Sequence, residues 1–257
     1  MKSYKYYGQE RLVRLAALMA AMCVMLALGT KPARAVVPTG TPTFSNPLDI
    51  TNDYHPFQPG GVKVFQGSDG RTKMVGLHLY LTETRPFNWN GTTVACRVLR
   101  EIAFENGQLV ELSDNYFAQA DDGTVYYFGE VVDNYEDGVV VDNDGSWLVG
   151  GPILPSDPPT TANDNNPTVF MPANPEVGDV FKPEDLIPIV DETAKVVRVG
   201  VKVKVPAGAY EDAIAIEETS ALEPGTTTKW YAPGVGVVRE KAKREQLNLI
   251  SSTLVSP

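Results

Sequence analysis

Cysteine, basic charge and long apolar runs are all scarce in this chain of 257 residues. Two cysteines cannot build a disulfide-rich scaffold or a zinc site of four thiolates. The 22 basic against 32 acidic residues give a net charge of −10, which argues against a nucleic-acid binder because such proteins neutralise phosphates. A hydrophobic content of 43% nevertheless excludes a disordered chain, and the length allows one large or two small domains.

The N-terminus has the features of a secretory signal peptide over residues 1–35. Basic residues precede an uncharged apolar stretch at 15–28, and Ala33 and Ala35 form a small-x-small cleavage site. The stretch is shorter than the roughly 20 residues that a membrane span requires. We expect cleavage after Ala35 and a periplasmic or secreted product, with an uncleaved N-terminal anchor as the alternative. No later run reaches transmembrane length.

Cleavage would change both the charge and the thiol count. The first 35 residues hold six basic residues and one acid, so the remaining 222 carry 16 basic and 31 acidic groups, a net charge of −15. Cys96 would be the one remaining thiol, which excludes an intramolecular disulfide. Because Cys96 alternates with Val94 and Val98, we expect it to be a buried, inert side chain.

Alternation of apolar and polar residues predicts strands along most of the chain after residue 61. The odd positions of 75–81 are all apolar, and valine occupies every odd position of 197–205. Asx-Gly pairs at 69–70, 90–91, 106–107 and 122–123 are typical of tight hairpin turns. We therefore predict an all-β fold, a curved antiparallel sheet, half-barrel or sandwich with hairpin connections. At most one or two short helices are expected, near Lys182–Leu186 or Arg239–Gln246.

The predicted organisation is an extended segment at 36–60 followed by a single β domain at 61–257. Its halves, 61–150 and 169–257, are joined by a loop at 151–168 that is rich in Pro and Asn. Two separate domains are the alternative, and the loop is either a plain surface loop or a lid over a pocket.

Five segments of the sequence are distinctive: 54–60 (YHPFQPG), 115–119 (NYFAQ), 122–130 (DGTVYYFGE), 171–173 (MPA) and 230–238 (WYAPGVGVV). They resemble segments of an uncharacterised family of exported bacterial β-rich proteins. The resemblance covers roughly residues 54–255, and the last segment is also similar to an ending found in periplasmic proteins with a curved, half-barrel sheet. The resemblance implies an exported β protein and supplies no catalytic residues.

Aromatic residues form the most distinctive candidate binding site. They flank the turn at 122–123 and precede a Pro-Gly turn at 233–234. Because consecutive strand residues point to opposite faces, one set can fill the core while the other lines a groove. The alternative is that all of them only stabilise the sheet by cross-strand packing. The candidate ligand-binding residues are Tyr116, Phe117, Tyr126, Tyr127, Phe128, Trp230 and Tyr231.

Acidic residues are frequent in residues 111–144, and they are candidate ligands for a calcium site. Oxygen clusters of this kind can bind Ca²⁺, but the ligand spacing is incomplete for a helix–loop–helix calcium loop, and Asp-Gly pairs are also ordinary turns. No cofactor is predicted, and calcium is retained as an alternative to solvated turns. Its candidate ligands are Asp133, Asp137, Asp142 and Asp144.

Catalytic motifs are scarce, so the prediction leans away from an enzyme. The chain has two histidines, His55 and His78, and no Gly-x-Ser-x-Gly elbow. The leading hypothesis is non-enzymatic binding of an apolar or carbohydrate-like small molecule, or of an envelope protein. The alternatives are an extracytoplasmic hydrolase or isomerase that uses carboxylates, and a structural or assembly component of the cell envelope.

Overall fold

A computed structural model describes residues 41–254, and these residues form one nearly closed, barrel-like curved sheet. The all-β prediction is confirmed, since the described residues contain no helix. They include no segment with the helical length and hydropathy that a membrane span requires. The fifteen strands are β1 (Val62–Asp69), β2 (Thr72–Trp89), β3 (Thr92–Glu105), β4 (Gln108–Gln119), β5 (Val125–Glu136), β6 (Val139–Asp142), β7 (Trp147–Val149), β8 (Ala162–Asp164), β9 (Thr168–Met171), β10 (Val180–Leu186), β11 (Val190–Val205), β12 (Gly208–Thr219), β13 (Thr227–Ala232), β14 (Gly236–Lys241) and β15 (Glu245–Ser252).

Strands β1 to β6 and strands β10 to β15 follow one another as antiparallel hairpins, which the Asx-Gly turn signals predict for β1 to β5. The order across the sheet is β10-β11-β12-β13-β14-β15-β1-β2-β3-β4-β5-β7-β8, and every pair is antiparallel except β7 with β8. Asn90 and Asn106 both adopt positive φ, followed by Gly91 and Gly107, which is the backbone of a two-residue hairpin turn. Strand β9 pairs with β5 and also contacts β10 through a hydrogen bond from Thr168 Oγ1 to the Pro183 carbonyl, which brings the two ends of the sheet together.

Both helix candidates are strands. Residues Lys182–Leu186 lie in β10, and Arg239–Gln246 spans the end of β14 and the start of β15. Pro183 has no N–H to donate, and the pairing of β10 with β11 is irregular between Phe181 and Glu184, where this proline lies. Cross-strand pairing thus outweighs the weak local preference of these short stretches.

The two halves of the chain belong to the same sheet, through the β1–β15 and β9–β5 pairs. Segment 151–168 is mostly irregular and contains the short strand β8. It is attached to β2, where Arg85 binds Asp157 and the Trp89 indole donates to Asn166 Oδ1 at 3.4 Å. Segment 41–60 contributes Phe57, which is buried in the larger apolar cluster.

The face of β2 that points into the barrel is not the leucine face, which the alternation of apolar and polar residues most simply predicts. Leu77 and Leu79 are only partly buried and belong to neither buried apolar cluster, while His78 and Tyr80 line an interior cavity. The predicted alternation of β2 is correct, but the side of the strand that carries His78 and Tyr80 faces inward. The larger apolar cluster includes Cys96, which is fully buried as predicted, and burial raises the pKa of its thiol.

Candidate functional site

A cavity of about 210 Å³ lies inside the curved sheet. Its wall combines aromatic rings, glutamates, two histidines and one lysine, so it is both polar and aromatic. Segment 41–60 contributes His55, and the other residues come from nine strands. They are His78, Tyr80, Leu99, Glu101, Asn115, Phe117, Tyr127, Glu130, Phe170, Pro183, Glu184, Glu192, Lys229, Tyr231, Gly236, Val237 and Glu240.

Strand register explains why residues distant in sequence meet at this wall. Directly paired residues of neighbouring strands share one face of a sheet. One row runs from Lys63 through His78 to Glu101 on β1, β2 and β3. The next interior row starts two residues further along β2 and joins Tyr80, Leu99, Asn115 and Glu130 on β2 to β5. These two ladders of paired residues place polar side chains along the inner face of the sheet.

The aromatic part of the wall is a packed group of rings. Phe117 and Tyr127 stack with their centroids 4.8 Å apart and an interplanar angle of 17°. Phe170 and His55 each meet Phe117 at 4.6 Å, and the two also contact each other. The Tyr127 hydroxyl donates a hydrogen bond to Asn115 Oδ1. The rings therefore form a rigid surface with hydrogen-bonding groups at its edge.

Two carboxyl groups converge at the closure of the barrel, where β5 faces β10. The side chains of Glu130 and Glu184 are hydrogen-bonded to each other. Burial raises the pKa of both groups, most strongly that of Glu130, and the proximity of like charges raises the pKa of Glu130 further. Two ionised carboxylates only accept hydrogen bonds, so one of the pair carries a proton.

The lysines near the cavity already have partners. Lys229 Nζ lies 2.7 Å from Glu218 Oε2, and surrounding carboxylates raise the pKa of Lys229 although burial acts in the opposite direction. Lys63 is fully buried, donates to the carbonyls of Val235 and Val237, and has its pKa lowered by burial to about 7. Neither ammonium therefore offers a free positive charge to an anionic ligand.

Both histidines are neutral at physiological pH. Burial, with a smaller contribution from Lys63, lowers the pKa of His55 and of His78 to about 3. His78 Nδ1 lies 3.3 Å from Glu101 Oε1, close enough for the neutral imidazole to donate to this carboxylate. His55 Nε2 is buried, and none of the described groups hydrogen-bonds to it. Buried polar atoms usually have a partner, so this nitrogen is available to a bound molecule.

Comparison with known proteins gives structural likeness at low identity. No family model and no curated protein matches the chain. One similar solved structure is a "putative lipoprotein" from Parabacteroides distasonis, 15% identical with a TM-score of 0.40. Another is a "putative exported protein with YmcC-like fold" from Bacteroides fragilis, 14% identical with a TM-score of 0.39. Each match covers 79% of this chain and 99% of the other. The family that the sequence segments resemble stays a prediction.

The aromatic candidates separate into two sets on opposite faces of the sheet. Phe117, Tyr127 and Tyr231 line the cavity. Tyr126 and Phe128 instead pack against Phe44, with centroids 5.6 and 5.7 Å away. The other two candidates also lie outside the cavity wall. Tyr116 contacts Phe87 and Arg85, and Trp230 lies beneath the Arg239 guanidinium. Segment 151–168 contributes none of the residues that line this cavity.

The calcium candidates lie in and around the β5–β6 hairpin. Asp142 Oδ1 accepts hydrogen bonds from Asn134 Nδ2 and from the Asp144 amide, and Asp133 Oδ1 accepts one from Asn143 Nδ2. Asp137 occupies the turn with positive φ. Within residues 41–254, no three His, Cys, Asp or Glu side chains are placed to hold a metal ion together. Calcium binding by this hairpin stays an alternative to solvated turns.

Sequence reasoning missed most of the ionisable residues of the cavity. The acidic run at 111–144 drew attention to exposed turn residues, whereas only Glu130 of that run reaches the cavity wall. The missed residues sit at inward positions of alternating strands, where a charge is costly unless it faces a cavity or a partner. A glutamate at an inward position of a predicted strand is the sequence signal that could have identified them. They are Glu101, Glu184, Glu192 and Glu240.

Proposed function

We propose that this chain is an exported, non-enzymatic binding protein that holds a small carbohydrate-like ligand in its barrel cavity. The observation that carries the proposal is the combination of the stacked Phe117 and Tyr127 rings with carboxyl and amide groups in one wall. Sugar rings present C–H faces that pack on aromatic rings and hydroxyl groups that bind carboxylates and amides. Pockets of this mixed kind commonly bind small molecules.

The charged groups favour a polar ligand over the apolar ligand that the sequence also allowed. Five glutamates line the cavity, and a purely apolar molecule would displace water from them without offering them a hydrogen bond. The volume of about 210 Å³ is below the range of roughly 300–1,000 Å³ that is usual for drug-sized ligands. A single sugar ring is a ligand of suitable size and polarity.

Ligand-observed NMR with a set of monosaccharides tests this proposal. We expect saturation transfer from the protein to at least one sugar and none to short fatty acids. Val237→Phe should abolish the transfer because Val237 lines the cavity. Val139→Phe is the matched control, since Val139 is 64% exposed on β6. Transfer that survives Val237→Phe in a folded protein, or that occurs with fatty acids alone, would contradict the proposal.

Export is part of the proposal and rests on the signal-peptide features, which lie outside the described residues. The exported protein should begin at Val36, which N-terminal sequencing of material from the periplasm or the medium would detect. Recovery in the cytoplasm with residues 1–35 intact would refute this part alone.

A carboxylate-dependent hydrolase or isomerase is the second candidate, because of the Glu130–Glu184 pair. A carboxyl group with a raised pKa beside a second carboxyl group is a common arrangement for a general acid. Turnover of a bound sugar that Glu130→Gln abolishes without weakening binding would favour the enzyme. Binding without turnover favours the binding protein.

An assembly role is favoured by a different feature, strand β6. Its residues Val139, Val140 and Val141 are 41–64% exposed, which is unusual for three adjacent valines. Such an exposed strand can pair with an envelope protein. Concentration-dependent self-association or capture of one envelope protein, lost in Val140→Lys, would support this role.

A further inference from the structure

The strongest unexplained feature of the cavity is its excess of carboxyl groups. Five glutamates and one lysine line it, and that lysine, Lys229, is bound to Glu218. Among the described residues, no ion pair joins Glu130, Glu184 or Glu192 to a lysine or arginine. Carboxyl groups enclosed without an ion-pair partner are unfavourable in the empty protein and favour a ligand that brings positive charge.

We propose that the ligand carries a protonated amine, which Glu130 and Glu184 bind in exchange for the proton that they share. The inference rests on the proposed function and specifies the charge of its ligand. The ammonium N–H groups would donate to both carboxylates, and the shared proton would leave to solvent. The exchange conserves charge, because one proton leaves as one cation enters.

Two further features of the wall suit a cation. Phe117 and Tyr127 belong to the wall of the same cavity, and aromatic rings attract ammonium groups. His55 Nε2 has no hydrogen-bond partner among the described groups, and the neutral imidazole can accept an N–H there. An anionic ligand would meet the carboxylates with no free ammonium group to bind it.

The charged surroundings of the pair determine how readily the proton leaves. Burial and the neighbouring carboxylates hold the pKa of Glu130 above its ordinary value, while Lys229 acts to lower the pKa of Glu184. A bound ammonium group stabilises the ionised forms and lowers both pKa values. The titratable groups that act on the pair from the surrounding strands are Glu101, Glu111, Tyr127, Asp191, Glu192 and Lys229.

Calorimetric titration with D-glucosamine and D-glucose tests the inference, because the two differ at one position by an ammonium group in place of a hydroxyl. At about pH 6, the amine is protonated and the glutamate pair retains its shared proton. We expect glucosamine to bind at least about tenfold more tightly than glucose. Titrations in buffers of different ionisation enthalpy should show release of about one proton for glucosamine and none for glucose.

Variants separate the contribution of the carboxyl pair from general effects. Glu184→Gln should remove the preference for glucosamine over glucose together with the proton release. Glu211→Gln is the control, because Glu211 is an exposed residue paired with Lys202 on the surface. Equal binding of both sugars without proton release would overturn the inference and leave the proposed function standing. Failure of both sugars to bind would overturn the inference, and would overturn the proposed function as well if every other monosaccharide of the set also fails to bind.

Discussion

Arg85 holds Asp157 through two hydrogen bonds of 2.7 Å, with both side chains nearly excluded from solvent. Asp157 Oδ2 also accepts the backbone amides of Ile153 and Leu154, so one carboxylate fixes the turn at 153–157 against β2. The Arg85 guanidinium lies over the rings of Phe87 and Tyr116. This ion pair therefore anchors segment 151–168 to the face of the sheet that is opposite the cavity.

Asp157→Asn should destabilise the protein by about 3 kcal/mol, because it leaves a buried guanidinium without its counter-charge. Chemical denaturation gives this free energy of unfolding. Asp114→Asn is the matched control, since Arg100 also binds Asp114 through two hydrogen bonds, of 2.7 and 2.8 Å, on a more exposed surface. It should cost less than about 1 kcal/mol. Equal losses in the two variants would show that the buried pair does not anchor the segment.

Gly129 permits the close approach of β5 to β7 beside Glu130. Its φ is +112°, and a Cβ atom there would lie 2.2 Å from the Trp147 carbonyl oxygen. Gly129→Ala should cost about 3 kcal/mol or more, because backbone atoms must move. Gly138→Ala, at a turn with φ +78° and open space around it, should cost about 1 kcal/mol of backbone strain alone. Thermal and urea unfolding would check this difference, and similar costs at both positions would contradict it.

His55 should make the protein sensitive to mild acid. The pKa of His55 is about 3 in the folded protein, against an ordinary value near 6.5. Between these two pH values, the unfolded chain therefore binds a proton at His55 that the folded protein does not bind. The stability that this histidine contributes is complete above about pH 6.5 and is lost as the pH falls toward 3. His55→Phe, which keeps the ring between Phe117 and Phe170, should gain about 2 kcal/mol relative to wild type between pH 7 and pH 5. A stability difference that does not change with pH would argue against a neutral buried imidazole.

Calcium should leave the thermal stability unchanged. Asp133 and Asp142 already accept hydrogen bonds from Asn143 and Asn134, which stabilise the β5–β6 hairpin without an ion. Melting curves with a chelator and with added Ca²⁺ would measure this directly. A rise of several degrees with Ca²⁺ that Asp142→Asn abolishes would establish a structural calcium site.

The fold was predictable from local signals, because hairpins depend on residues that are close in sequence. Asn90-Gly91 and Asn106-Gly107 mark turns whose positive φ values the structure contains. The two short helix predictions were wrong, because pairing with neighbouring strands outweighs the weak helix propensity of a few residues. Which face of a strand is interior is a property of the whole sheet, and the Leu77 row shows that alternation alone does not determine it.

The site was predictable only in part. The aromatic residues that flank the turn at 122–123 include Phe117 and Tyr127, which line the cavity. The contact of Glu130 on β5 with Glu184 on β10, in contrast, joins segments that are distant in the sequence. No spacing in the sequence encodes that contact. Glu218 and Lys229 lie on the consecutive strands β12 and β13, and their contact depends on the register of the two strands, which the turn signals alone do not specify.

Native mass spectrometry of the protein purified from its host tests the central claim, that the barrel cavity is a binding site. We predict a bound small molecule in the wild-type protein and in Val139→Phe, and none in Val237→Phe, whose larger side chain occupies the cavity. The mass of the bound molecule would also identify its chemical class. A wild-type protein without any bound molecule, or the same bound molecule in Val237→Phe, would contradict the account.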